Sequence, residues 1–217
     1  MNNIFQIFYE LDRPLEKFPI FLQSIELWKD YVGKKGGTYK LYLRSDCERI
    51  IDDSKYKQFY YSLPLWSKLE FMRYVIVELT GGLYVDLDIH PINYDIFYKL
   101  QQEEEYIFGL WDNSSNIPIK YASNTIEWSN SFVGFRDNSL ITGFIEYAMK
   151  QHERMNLMPT YDKWRVRKMK RGVGVDAFKK YFKHYKLNTE LLSSIKDFAC
   201  KSWTKRSNRD LLYNVKI

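Results

Sequence analysis

The feature that most constrains this chain is a helical pattern that ends at two glycines and is followed by a short apolar run. From Pro64 to Thr80, apolar side chains recur at spacings of three and four, which predicts a helix with one buried stripe. The stripe comprises Leu65, Leu69, Met72, Ile76 and Leu79. Gly81 and Gly82 can take positive φ just after the last turn, so the chain can reverse sharply into a predicted strand from Leu83 to Val85.

Two carboxylates stand directly after that strand. Asp86 and Asp88 are two residues apart, so in a straight strand both side chains point to one face and Leu87 points to the other. Ligands of a mostly parallel sheet collect outside the carboxyl ends of its strands. A hard divalent cation such as Mn²⁺ or Mg²⁺ removes the repulsion between two close carboxylates and can bridge to phosphate oxygens. The pair is therefore a candidate metal site; the alternative interpretation is an acidic strand end that caps a turn.

The rest of the chain alternates between strand and helix patterns. Predicted strands lie at Asn3 to Phe8, Thr38 to Leu43, Leu83 to Val85, Tyr106 to Leu110 and Ser131 to Phe135. Predicted helices lie at Pro19 to Tyr31, Pro64 to Thr80 and Leu140 to His152. This order is typical of the α/β class. No repeat, low-complexity tract or long linker divides the chain, so we expect a single domain over residues 1–217.

Composition favours a soluble enzyme domain in a reducing compartment. The chain is 45% hydrophobic and 28% charged, an ordinary globular balance, and its 18% aromatic content mostly fills cores. The two cysteines, Cys47 and Cys200, lack the dense spacing of a secreted disulfide scaffold. No basic start with an apolar run is present, and no stretch approaches the roughly 18 apolar residues of a spanning helix. We therefore expect a cytoplasmic protein without a signal peptide or transmembrane segment.

Part of the net charge of +6 is concentrated between Lys163 and Arg171, where six of nine residues are basic. Such a run is often a solvated face or a mobile loop. A functional interpretation is a cationic segment that meets a diphosphate or an acidic acceptor. The rival interpretation is nucleic-acid binding, since Tyr161 and Trp164 interleave with the charges. The rest of the chain mixes its charges and carries no nucleic-acid motif, so we do not expect a nucleic-acid partner.

The chain also resembles a known family, on a run that comprises Glu70, Arg73, Gly81, Gly82, Tyr84, Asp86 and Asp88. This run resembles the Asp-x-Asp region of glycosyltransferases, among them a group of mannosyltransferases, the capsular-polysaccharide transferases and the glucosylating clostridial toxins. The resemblance implies a GT-A type fold, with a Rossmann-like mixed sheet flanked by helices. It also implies a nucleotide-sugar donor, a UDP-sugar favoured over a GDP-sugar, with Mn²⁺ or Mg²⁺ as cofactor. The nucleotide-sugar half would cover about residues 1–110 and the acceptor half about 111–217.

The resemblance assigns catalytic roles to four residues. Asp88 would bind the metal directly, whereas Asp86 would contact the ribose or the donor sugar and reach the metal through water. Arg73 would lie near the sugar or phosphates of the donor, and Tyr84 would be a further residue of the nucleotide-sugar site. Glu70, which is usually Asp in the family, would hydrogen-bond the sugar, and its longer side chain leaves the identity of that sugar open.

Two weaker resemblances lie near the ends of the chain. The segment Ile4 to Phe8 resembles the family's opening strand, in which Phe8 would contact the nucleotide base; the alternative is simply a buried strand. The segment Cys200 to Trp203 resembles a late loop that folds over the donor. There, Ser202 would complete the metal shell and Trp203 would cover the diphosphate; the alternative is an ordinary core tryptophan.

Two further segments have both a functional and a purely structural interpretation. On the resemblance, Asn130 would face the donor sugar, although Asn is also a common turn residue. Gly172 and Gly174 precede a predicted helix from Ala177 to Tyr185. Backbone amides at that helix start suit an acceptor hydroxyl or a phosphate. Asp176 is otherwise an ordinary N-cap.

The named families retain the anomeric configuration, so the resemblance implies a retaining transfer to a hydroxyl of a carbohydrate or glycoprotein acceptor. An inverting enzyme needs a base on the opposite face of the sugar. His90 is a candidate for such a base, or else it only turns the strand end toward Pro91. A catalytically inactive sugar-nucleotide-binding relative is a further alternative. A hydrolase that uses Asp86 and Asp88 as acid and base ranks lower, because same-face carboxyl groups are too close to flank a glycosidic bond.

Overall fold

In the computed structural model, the described residues are 2–10, 13–91, 94–103, 106–112, 126–156, 173–182 and 199–201. The strands of this described part are β1 Ile4–Phe8, β2 Tyr39–Leu43, β3 Leu83–Val85, β4 Ile89–Pro91, β5 Tyr106–Asp112, β6 Ile126–Phe135 and β7 Ala199–Lys201. Its helices are α1 Pro19–Lys35, α2 Arg44–Asp52, α3 Lys57–Ser62, α4 Leu65–Thr80, α5 Tyr94–Glu103, α6 Asn138–Asn156 and α7 Val175–Phe182, and a 3₁₀ turn at Leu15–Lys17 precedes α1. Within these residues, no helix is both long and apolar enough to cross a membrane.

Five strands form one mixed sheet in the order β2-β1-β3-β6-β5. Strand β1 runs parallel to β2 and to β3, while β6 is antiparallel to both β3 and β5. Strands β4 and β7 form a separate antiparallel pair. The predicted α/β class is therefore confirmed. The carboxyl ends of the three parallel strands, at Phe8, Leu43 and Val85, meet at one edge of the sheet.

Helices cover both faces of the sheet. On one face, Ile4, Leu83 and Val85 pack with Trp28 and Tyr31 of α1. On the other face, Phe5 and Ile7 belong to a larger cluster with residues of α2, α3, α4, α6 and α7. Every residue of β1 is consequently buried, as expected of a strand between two neighbours and two layers of helices.

Helix α4 is buried more completely than its periodicity predicts. Every residue from Phe71 to Val77 is buried, whereas Leu79, which belongs to the predicted stripe, is 52% exposed. The ring of Tyr74 packs edge-on against Phe144 of α6 and is stacked with Phe178 of α7. These two helices cover the face of α4 that the sequence pattern leaves to solvent, so the prediction of a single stripe that includes Leu79 is wrong.

The two predicted aspartates do not continue a straight strand. Strand β3 ends at Val85, and the amide of Ile89 donates a hydrogen bond to the carbonyl of Asp86 at 3.1 Å, which closes a turn. The expectation of an extended strand through Asp86 and Asp88 is therefore wrong, while Leu87 between them is buried, on the opposite side from the two aspartates as predicted. The chain turns here because β4 leaves the main sheet and pairs with β7 instead.

Candidate functional site

The Asp86–Ile89 turn lies at the carboxyl edge of the parallel strands. Leu87 is 8% exposed and packs in an apolar cluster with Phe8, at the end of β1, and Ile25 of α1. The side chains of Asp86 and Asp88 are half-buried. The apolar residue of the turn thus points into the protein, and the two acidic residues lie on either side of it at a partly open surface.

Arg73 joins helix α4 to this turn. Its side chain is only 6% exposed, and its guanidinium lies 3.3 Å from a carboxylate oxygen of Asp86 and 3.3 Å from one of Glu70. Glu70 precedes Arg73 by three residues, so both side chains lie on one face of the helix. The structure therefore brings three of the four predicted catalytic residues into one ion-pair cluster.

Tyr84 forms the base of this cluster. The Arg73 guanidinium lies over its ring, 4.8 Å from the centroid, and its hydroxyl donates a hydrogen bond to Asp86. Tyr84 is only 3% exposed, so it supports Arg73 and Asp86 from beneath and offers little surface of its own. Its position follows from β3, which places alternate residues on opposite faces of the sheet and directs Tyr84 toward α4.

Electrostatics keeps Arg73 charged and Tyr84 neutral. Burial by itself lowers the pKa of Arg73, but the negative charges of Glu70 and Asp86 outweigh burial and hold that pKa above its ordinary value. Burial raises the pKa of Tyr84 well above its ordinary value, and the charge of Asp86 adds to this effect. Arg73 is therefore a permanent cation and Tyr84 a neutral donor at neutral pH.

The donor atoms at the turn are chemically suited to a hard cation. Among the described residues, no group of three or more His, Cys, Asp or Glu side chains is arranged to hold a metal. Asp86 and Asp88 nevertheless offer carboxylate oxygens, and Mg²⁺-like ions are commonly held by one or two carboxylates together with substrate phosphates. The residues present thus fit Mn²⁺ or Mg²⁺ on condition that a bound ligand supplies further oxygens.

A cleft of about 990 Å³ opens beside the turn, at the ends of β1 and β2. Phe8 lines it and also packs with Leu87, so the cleft and the turn share a wall. Phe8 itself is 7% exposed and makes edge contacts with the rings of Phe18 and Phe21. The charged residues of the lining are four acids and one base: Glu10, Glu16, Asp46, Glu48 and Arg44.

A buried polar network holds the turn from below. Gln6 of β1 donates hydrogen bonds to the carbonyl of Asp86 and to the hydroxyl of Ser24, both at 3.1 Å. Ser24 and Trp28 of α1 donate to the carbonyl of Ile89, at 2.7 Å and 2.9 Å. These contacts were not predicted from the sequence. The available signal was a glutamine in the middle of an otherwise apolar strand, since buried polar groups require partners.

The other predicted residues are placed as follows. Asn130 lies in β6, two residues before Phe132, which pairs with Val85, so its backbone lies at the same end of the sheet as Asp86. Ser202 and Trp203 lie outside the described residues, although β7 pairs the preceding residue, Lys201, with Ile89. Asp176 lies in the first turn of α7.

His90 lies in β4, directly after Ile89 of the turn. Its Nε2 contacts the carbonyl of Ile20 at 3.2 Å, and burial lowers the pKa of its ring. Cys47 is a buried free thiol, and burial raises its pKa to about 12. The basic run from Lys163 to Arg171, with Tyr161 nearby in sequence, lies outside the described residues.

Among solved structures, the fold is similar to a chain described as "PaToxG Glycosyltransferase", with a TM-score of 0.51. The two chains are 12% identical, and the match covers 95% of this chain and 77% of the other. No protein-family model and no curated protein matches the sequence. At this identity the likeness concerns the fold, and it confirms the α/β architecture of GT-A type, a mixed sheet flanked by helices.

Proposed function

We propose that this protein is a glycosyltransferase that moves a sugar from a nucleoside-diphosphate sugar to a hydroxyl group of a carbohydrate or glycoprotein acceptor. A UDP-sugar is the favoured donor, and Mn²⁺ or Mg²⁺ is the proposed cofactor. The proposal rests on one observation above all. The carboxylates of Glu70 and Asp86 bracket the buried guanidinium of Arg73 beside the Asp86–Ile89 turn, at the edge of the sheet where α/β folds bind ligands.

The charges of the site favour a donor that binds with its base and ribose in one region and its diphosphate in another. The cleft at the ends of β1 and β2 carries four carboxylates and one guanidinium, so it suits the uncharged base and ribose better than a diphosphate. The diphosphate would lie at the turn, where Asp86 and Asp88 would hold the metal. Phe8, on the wall between the two regions, would lie against the base. The charge of Arg73 would compensate the carboxylates of Glu70 and Asp86.

The residues of the turn and of the ion-pair cluster have separate tasks in this proposed mechanism. Asp88 and Asp86 would hold the cation, and a cation bound there would supply Lewis-acid stabilisation of the charge on the departing diphosphate. Arg73 fixes the Asp86 carboxylate by its ion pair, and Tyr84 fixes the same carboxylate by its hydrogen bond. Glu70, which is 30% exposed, would accept a hydrogen bond from a hydroxyl of the donor sugar.

The second half of the chain would bind the acceptor and close the site. Asn130 would contact the donor sugar from β6. Ser202 follows Lys201 directly in the chain, and Lys201 is paired with Ile89 of the turn. This pairing supports the assignment of Ser202 to the metal shell and of Trp203 to the diphosphate. We propose a retaining reaction, in which an oxygen of the departing diphosphate accepts the proton of the acceptor hydroxyl.

The decisive experiment is a thermal-shift and calorimetric titration with UDP and with GDP, each with and without Mn²⁺. We expect metal-dependent stabilisation by UDP in the wild type. Asp88→Asn should weaken the metal-dependent binding at least about tenfold, because it removes a charged metal ligand. Asp53→Asn is the matched control, since Asp53 is exposed at the end of α2 and does not line the cleft, and it should leave the titration unchanged.

The outcomes separate the alternatives. If no nucleotide stabilises the wild type, the donor site does not exist and the proposal is wrong. Binding of UDP and Mn²⁺ without turnover of any UDP-sugar would identify an inactive sugar-nucleotide-binding relative. If a chelator leaves the activity undiminished, a hydrolase becomes the better interpretation. If a UDP-sugar is turned over, NMR of the anomeric proton of the product distinguishes retention from inversion of the anomeric configuration.

A further inference from the structure

Gln6 is a fully buried polar residue in the middle of an apolar strand. It is 0% exposed, and both of its neighbours in β1, Phe5 and Ile7, are buried apolar residues. A buried amide without partners is costly, because it loses its hydrogen bonds to water. Gln6 instead has three partners: the Asp86 carbonyl, the Ser24 hydroxyl and the Tyr39 hydroxyl.

The directions of these hydrogen bonds are fixed by chemistry. A backbone carbonyl only accepts, so the atom of Gln6 that faces Asp86 must be the amide nitrogen. The Ser24 hydroxyl donates to the Ile89 carbonyl at 2.7 Å and therefore accepts from the same nitrogen. The Tyr39 hydroxyl donates to the amide oxygen at 2.7 Å. The amide thus has one orientation, with its donors toward the turn and its acceptor toward β2.

The network holds both ends of the turn that carries the aspartates. Gln6 binds the carbonyl of Asp86, where the turn begins, and Ser24 binds the carbonyl of Ile89, where it ends. Since Ser24 also bonds Gln6, one connected chain of hydrogen bonds sets the distance between these two carbonyls. Asp88 lies between them, so its backbone position depends on a residue that is 80 positions away from Asp86 in sequence.

We propose that Gln6 is a positioning residue for the Asp86–Asp88 carboxylate pair. It contacts no ligand itself and acts through the backbone of the turn. The inference rests on the proposed function, because the pair is positioned for a metal and a nucleoside diphosphate. Side chains that orient metal ligands typically contribute about 10–100-fold to metal affinity or activity, and we expect Gln6 to act within that range.

The test compares Gln6→Met with Tyr39→Phe, using Mn²⁺ and UDP as probes. Methionine has nearly the length of glutamine but donates no hydrogen bond, so the Asp86 carbonyl and Ser24 lose a donor. Phenylalanine at position 39 removes the hydrogen bond to the other end of the same amide and leaves both turn carbonyls paired. We expect the affinity for Mn²⁺ in the presence of UDP to fall at least about tenfold in Gln6→Met and to stay within about twofold in Tyr39→Phe.

A second readout follows the turn directly. The indole N–H of Trp28 donates to the carbonyl of Ile89 at 2.9 Å, so its NMR resonance reports on the turn. The resonance is assigned through Trp28→Phe, and it should move in Gln6→Met but not in Tyr39→Phe. If Gln6→Met fails to fold, Ser24→Ala replaces it, because Ser24 bonds both Gln6 and the Ile89 carbonyl of the turn.

The results separate two kinds of failure. A wild-type chain that binds neither Mn²⁺ nor UDP would overturn the proposed function. A wild type that binds both, together with a folded Gln6→Met that matches Tyr39→Phe in metal affinity and in the Trp28 resonance, would overturn the positioning role alone. A loss of metal affinity in Gln6→Met accompanied by a shift of the Trp28 resonance would support both.

Discussion

At the scale of the residue, Arg73 decides whether the carboxylates of the site can lie close together. Its guanidinium is buried between Glu70 and Asp86, and the ring of Tyr84 lies against it. Arginine suits this position because its planar group offers donors in two directions and stacks on an aromatic face. A lysine would keep the charge, but it would lose the planar group that donates in two directions and the stacking on the ring of Tyr84.

Replacement of Arg73 tests this role. We expect Arg73→Met to lower the free energy of unfolding by about 2 kcal/mol, because two partly buried carboxylates lose their counter-charge and solvent screens part of the loss. Arg73→Lys should recover only part of that loss. Urea unfolding measures both variants.

The control is Arg49→Met. Arg49 also pairs with a carboxylate three residues earlier, Asp46, but it is 73% exposed. Its replacement should change the free energy of unfolding by less than about 0.5 kcal/mol. Equal effects at positions 73 and 49 would show that burial of the Arg73 pair contributes nothing.

The sequence predicted part of this arrangement at the residue scale. The spacing of Glu70 and Arg73 places both on one helix face whatever the rest of the chain does. The contact of Arg73 with Asp86 could not be derived in this way, because it depends on how α4 packs against β3. Gln6 was not predicted as a site residue for the same reason, since its partner Asp86 lies in the turn after β3, 80 residues away in sequence.

At the scale of the element, the reversal from α4 into β3 depends on two glycines with positive φ. Gly82 has a φ of 84°, and a Cβ there would lie 2.7 Å from the backbone oxygen of Asn3. The close approach arises because β3 begins beside β1, where the amide of Leu83 donates to the Asn3 carbonyl at 2.8 Å. The glycine therefore meets a conformational and a steric requirement together.

We expect Gly82→Ala to lower the free energy of unfolding by more than about 2 kcal/mol, because both requirements are violated. Gly36 is the matched comparison. It ends α1 with a φ of 69°, but a Cβ there meets nothing within 4 Å. Gly36→Ala should therefore cost only about 1 kcal/mol, the conformational part. Equal losses in the two variants, measured by denaturant unfolding, would contradict the steric argument.

The regular elements were predicted where a local pattern was strong. Strand β3 was predicted with its observed bounds, and α4 within one residue. Helix α1 continues to Lys35, beyond the predicted end at Tyr31, because Gly36 and not Tyr31 supplies the left-handed C-cap. Helices α2, α3 and α5 and strands β4 and β7 were not predicted; β4 and β7 have three residues each, too few for a periodic signal.

At the scale of the whole molecule, one buried and one half-buried histidine should make folding sensitive to mild acid. Burial lowers the pKa of His152 in α6 and of His90 in β4. His152 is 4% exposed and lies edge-on to the ring of Phe59. Both rings are therefore neutral in the folded protein at a pH where the unfolded chain is already partly protonated.

The sign of the pH dependence follows directly. The unfolded histidines titrate near about 6.5, and the folded ones titrate lower, so in between the unfolded state binds more protons. The free energy of unfolding should be unaffected by these groups above about pH 6.5 and should fall as the pH falls through that window. Denaturant unfolding at a series of pH values should show this decline, and the double variant His90→Gln, His152→Gln should reduce it. An unchanged slope in the double variant would contradict the assignment.

The sequence by itself determined the local features of this protein: the helix before the two glycines, the strand after them, the α/β alternation and the carboxylates at a strand end. Each follows from periodicity or glycine conformation within one short segment. Tertiary structure alone decided the order of the strands, the turn that separates Asp86 from Asp88, and the burial of Leu87. It also brought Gln6 and Arg73 to Asp86 from two different elements. The physical reason is that local conformation is set by neighbours in the chain, whereas charge pairing and burial are set by whichever elements the fold packs together.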